Sequence, residues 1–156
     1  TTTIPGDGRR DHTATLLQDG KVLVVGGQSS KKEHWPENFQ RSVIFDVATE
    51  SFLNTGDMVE PRGAHVAALL TASSPDCIAP VLIAGGHLGW KWDTGSVELF
   101  DPVLGIFYET ESMAKLRGWP AVTVLPNGHV LVTGGFEYFT SPRDTAEVFE
   151  PIGSCQ

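Results

Sequence analysis

The sequence predicts an all-β chain built from about three repeated four-stranded units. Three observations predict it. One segment is written three times, as VLVVGG at 22–27, VLIAGG at 81–86 and VLVTGG at 130–135. Each copy is followed, after a loop of variable length, by a second strand-like run: SVIFD at 42–46, SVELFDP at 96–102 and TAEVFEP at 145–151. The glycine pairs begin at 26, 85 and 134, so the period is 59 and then 49 residues. Periods near 50 belong to radial arrays of sheets rather than to helical solenoids.

The elements follow in order. In the first unit, strands are expected near 12–17, 21–26, 42–46 and 51–55, because these runs are short, rich in β-branched and aromatic residues, and bounded by Gly, Asp, Asn and Pro. Asp19-Gly20 and Asn127-Gly128 each stand between apolar runs and predict tight hairpins with positive φ at both central positions. The second unit replaces that turn with the longer TASSPDCIAP at 71–80. The glycine pairs are expected to be structural, marking places where backbones crowd. They do not form a GxGxxG at the start of a helix, which argues against a phosphate cradle.

These residues resemble the kelch repeat. The first unit supplies Arg9, His12, Asp19-Gly20, Gly26-Gly27, Phe45-Asp46 and Gly56-Asp57-Met58. The second supplies Arg62, His65, Gly85-Gly86, Glu98, Phe100-Asp101-Pro102 and Met113, and the third Arg117, Asn127-Gly128, Gly134-Gly135, Glu147 and Phe149-Glu150-Pro151. The resemblance covers almost the whole chain. It implies a kelch-type β-propeller, with blade one at about 9–55, blade two at about 62–111 and blade three at about 117–150. Two departures stand out. Ile44 replaces the glutamate of the other units, and Pro120 replaces the histidine.

Three blades span about half of a six-bladed ring, and the end blades of an open array expose apolar faces. Closure removes them. Thr1-Thr2-Thr3-Ile4 is β-prone, and the third unit lacks a fourth strand. A two-fold homodimer is therefore expected, each chain lending residues 1–4 to the last blade of its partner. The alternative is that the chain is part of a longer propeller.

Net charge is −8, from 11 basic and 19 acidic residues, which argues against nucleic acid and anionic membrane partners. Cys77 and Cys155 are the only cysteines, and their spacing does not require a disulfide. The first residue is Thr1 rather than Met, and with the kelch resemblance this leans the localisation toward secretion.

Function is expected in the loops after the glycine pairs. They hold His34 and Trp35 in the first unit, His87, Trp90 and Trp92 in the second, and Phe136, Tyr138 and Phe139 in the third. Trp119 follows Arg117. Large rings in exposed loops suit a small organic molecule, a glycan or a peptide. Arg9, Arg62 and Arg117 fall at equivalent positions. One reading makes them a structural repeat. The other makes them a ring of guanidinium donors for an acidic ligand. No cofactor or metal is expected, because the histidines are dispersed. A ligand-binding module is the leading expectation. An acid–base enzyme using His34, His87, Asp93 or Glu137 and a scaffold unit are the alternatives.

Overall fold

The structure is a computed structural model and describes residues 2–6, 8–29, 37–72, 74, 77–89, 92–137 and 141–151. It is all-β, with no helix among the described residues. Three antiparallel sheets follow one another along the chain. The first has the order Thr13–Leu16, Val22–Val25, Ser42–Asp46, Ser51–Asn54. The second has the order Val66–Leu69, Val81–Ala84, Val97–Asp101, Ile106–Glu109. The third has Ala121–Val124, Val130–Thr133 and Ala146–Phe149. The leading strands of the three sheets lie beside one another, that of the second between the other two.

The two hairpin turns differ from expectation. Gly20 and Gly128 have φ of 83° and 85°, but Asp19 and Asn127 do not share the left-handed region. Gly20 N–H donates to the Leu17 carbonyl and Leu17 N–H to the Lys21 carbonyl, at 3.1 and 2.8 Å. Leu125, Gly128 and His129 repeat the pattern. Each loop therefore has three residues and needs one positive φ, supplied by the glycine. At the same end of the sheets, Asp46 Oδ1 accepts from Ala48 and Thr49 N–H, and Asp101 Oδ1 from Val103 and Leu104 N–H. The Phe-Asp of the repeat is thus a ring for the core followed by a carboxylate that shapes the next turn.

The second sheet is buried on both faces, so Val81, Leu82, Ile83 and Ala84 form an uninterrupted apolar run. Val81 and Ile83 pack with Leu23, Val25, Met58 and Phe100 toward the first sheet. Leu82 and Ala84 pack with Val97, Val130 and Val132 toward the third. His65 lies in this interior, its Nε2 2.8 Å from the Thr13 hydroxyl. Burial and the nearby Arg62 and His12 push its pKa down to about 3, so it is neutral inside the fold.

The glycine pairs join one unit to the next. Gly27 N–H donates to the Arg62 carbonyl at 2.9 Å, and Gly86 N–H to the Arg117 carbonyl at 2.8 Å. A Cβ on Gly85 would stand 2.5 Å from the Arg117 carbonyl oxygen, and one on Gly26 would strike that of Arg62. Only glycine tolerates that approach together with φ of 66° and 58°.

Candidate functional site

The arginines are part of this frame. Arg62 and Arg117 are both 0% exposed. Arg62 donates to the Gly85 and Ser96 carbonyls, the Ser96 hydroxyl and Glu98 Oε1, at 2.7–3.1 Å. Arg117 repeats this with Gly134, Thr145 and Glu147. Glu98 also accepts from Val59 and Glu60 N–H, and Glu147 from Ala114 and Lys115 N–H. The expected ring of donors for an acidic ligand is therefore corrected at Arg62 and Arg117: their charge is matched inside the protein. Arg9 is half-buried, donates to the Gly26 and Arg41 carbonyls, and lies 5.0 Å from the Phe39 ring centre. The register corrects the expected departure at Ile44. Val43 pairs with Val24 as Glu98 pairs with Ile83 and Glu147 with Val132, so the counterpart of the two glutamates is the buried Val43, and Ile44 matches Leu99 and Val148.

The residue after each glycine pair pairs with the residue after each arginine. Gln28 faces Arg10, His87 faces Gly63, and Phe136 faces Gly118. Each also bridges the far side of its own loop, at Asn38, Asp93 and Pro142. A three-fold ladder thus forms the mouth at one end of the inner strands. Side chains from one unit enter a glycine notch of the next: Gln28 against Gly63, and the His87 imidazole against Gly118.

His87 is the chemically distinctive member. It is buried, with Nδ1 in tight contact with Asp93 Oδ1, and its backbone carbonyl accepts from Asn38 Nδ2. The Trp119 ring meets the imidazole edge-on, with centroids 4.2 Å apart. Burial pushes the His87 pKa down, while Asp93 and, through space, Asp11 oppose that shift. Trp92, Trp119 and Phe136 are 62%, 42% and 40% exposed. Among the expected aromatics, the structure therefore brings Trp119 to His87. His34, Trp35, Trp90, Tyr138 and Phe139 lie outside the described residues. Glu137 pairs with Arg143.

Sequence reasoning did not find Asp11. It is equivalent to Ala64 and Trp119, two residues after each arginine, and all three are left-handed, with φ of 56°, 55° and 48°. Ala64 N–H donates to the Asp11 carbonyl at 2.8 Å and Trp119 N–H to the Ala64 carbonyl at 2.9 Å. Non-glycine residues held this way are costly and cluster at functional sites. No group of three or more His, Cys, Asp or Glu among the described residues could hold a metal ion. Cys77 is disulfide-bonded, and the chain's other cysteine is Cys155, outside the described residues.

No family model and no curated protein matches the chain. Among solved structures, one titled "Structure of YjhT" is similar, with a TM-score of 0.77 at 14% identity over 98% of this chain. The match covers 55% of that chain, so this protein spans about half its length. A likeness at that identity shows the fold alone. The expected kelch membership is corrected accordingly: no family model supports it, and the repeat residues describe how these sheets are braced rather than a family. The expected β-propeller is cut back with it: no family model supports it, and the described residues show an all-β series of antiparallel sheets.

Proposed function

We propose that this protein is a ligand-binding module whose recognising surface is the mouth built on the inner strands. The observation that carries this reading is Trp119. A bulky residue is kept at positive φ, well exposed, over a buried His87–Asp93 pair. Exposed indoles offer stacking surface to small molecules and glycans. Titration with panels of amines, methyl glycosides and short peptides, read by tryptophan emission, should give a saturable change with at least one class. The change should be lost in Trp119→Ala. A folded chain that responds to none of them overturns the reading.

A second proposal concerns assembly: the three sheets are half of a closed array completed by a second copy. Three features of the third unit favour it. Among the described residues, Gly134 has only the Arg143 carbonyl near its Cβ direction, at 3.9 Å, where Gly26 and Gly85 meet the next unit. Phe136 is exposed, where Gln28 and His87 enter the next unit's notch. The edge of Ala146–Phe149 has no further strand among the described residues, whereas Phe45 and Phe100 are covered by Phe52 and Phe107 at 5.1 and 4.8 Å. A cleft of about 610 Å³ lies at that place, lined by Leu99, Tyr108, Val148 and Phe149. Residues 2–4 are outside any strand and are candidates to fill part of it from the partner. The isolated chain should have a solution mass twice its 16.8 kDa, and a stable monomer would exclude this assembly. The disulfide at Cys77 favours an oxidising compartment, consistent with a secreted protein.

A further inference from the structure

The chemical class of the ligand can be argued from the charges left at the mouth; this step rests on the ligand-binding reading. Arg62 and Arg117 are withdrawn into the frame and matched by Glu98 and Glu147. His87 is buried against Asp93. The Asp11 carboxylate remains partly exposed, with Arg10 Nε 3.9 Å away on a mostly exposed side chain. Such a surface pair is weak and yields readily to a better-placed cation.

Asp11 and Trp119 stand at equivalent positions on one hydrogen-bonded ladder, two links apart. Strand spacing sets their backbones roughly 10 Å apart. The residue between them on the ladder is Ala64, whose side chain is a methyl. A carboxylate and an indole across such a gap match an ammonium group, which gains from both the charge and the ring face. The chain's net charge of −8 draws cations toward it.

We infer that the mouth is a subsite for a small organic cation, whose ammonium group sits between the Asp11 carboxylate and the Trp119 indole. The ligand this excludes is the acidic one that a ring of exposed arginines would have taken.

The probe is choline, compared at matched ionic strength with 3,3-dimethyl-1-butanol, in which carbon replaces the charged nitrogen. Choline should change tryptophan emission saturably, and the neutral isostere should bind about tenfold more weakly. Asp11→Asn should weaken choline by roughly three- to tenfold, within the range of one exposed charge contact. Trp119→Ala should abolish the response and Trp119→Phe should keep part of it. Where Trp119→Ala fails to fold, Asp11→Asn and Trp119→Phe decide. Equal binding of choline and its isostere overturns the cation class, as does an unaffected Asp11→Asn variant. Methyl glucoside binding that is lost in Trp119→Ala also overturns the class, while leaving the ligand-binding reading in place. No response to choline in the folded chain overturns this inference, and silence to the whole panel of amines, glycosides and peptides overturns both.

Discussion

Arg62→Met should destabilise the protein by about 3–5 kcal/mol, because it leaves a buried carboxylate without its counter-ion. Glu98 is 0% exposed, as is Arg62, and their contact is 2.7 Å. The guanidinium does more than neutralise. It ties the carbonyl of Gly85, the carbonyl and hydroxyl of Ser96 and Glu98 into one knot between the inter-unit connection and the second sheet. Arg62→Lys should recover only part of the loss, since an ammonium cannot reproduce the planar fork. Glu98→Gln should also be costly, because its carboxylate accepts from the Val59 and Glu60 N–H groups as well as from Arg62. Urea unfolding followed by circular dichroism measures each. In a chain of this size a loss of this order lowers Tm by roughly 10 °C. An Arg62→Met variant within about 1 kcal/mol of the parent would sink the account, since an uncompensated buried charge costs more than that.

The same arginine shows where sequence reasoning reached and where it stopped. The repeat of glycine pairs and Phe-Asp motifs was legible because each answers a local demand: a backbone too close for a Cβ, a ring for the core, a carboxylate for a turn. The arginine positions were legible too, but their role was not. Equivalence in three units is compatible with a frame or with a ring of ligand donors. Only the partners decide, the buried Glu98 and the partly buried Glu147, and their approach depends on tertiary packing. The loss of that bracing in the first unit was readable but misplaced by one residue, because that unit's strand run is one residue shorter: Val43, not Ile44, stands where Glu98 and Glu147 do. Asp11 was invisible for a different reason. Its importance comes from a left-handed backbone shared with Ala64 and Trp119, and no residue-type pattern marks a position filled by Asp, Ala and Trp. The paired turns at Asp19-Gly20 and Asn127-Gly128 were placed correctly, yet the sequence did not reveal that one residue more than a two-residue loop takes part.

Gly85→Ala and Gly134→Ala should separate the frame of the chain from its assembly. Both glycines are left-handed, at φ of 66° and 63°, so either alanine carries about 1–2 kcal/mol of backbone strain. Gly85 bears a second cost. Its new Cβ would lie 2.5 Å from the Arg117 carbonyl oxygen, which is main chain and cannot swing away. The connection would have to move, breaking the Gly86 N–H bond to that carbonyl and loosening Arg62 from the Gly85 carbonyl. The expected loss exceeds about 4 kcal/mol, in the range reserved for broken networks. Among the described residues of one chain, Gly134 faces nothing closer than 3.9 Å, so backbone strain is the cost they impose. In the proposed assembly the connection of a second copy, ending at its own Arg9, occupies the place that Arg117 takes before Gly85. Gly134→Ala should then behave like Gly85→Ala in unfolding experiments and should also shift the solution mass from twice 16.8 kDa to the single chain. A Gly134→Ala variant that loses only the strain term at unchanged mass would exclude a neighbour at that face. Because both variants remove the same conformational freedom, the difference between them reports the neighbour rather than the glycine.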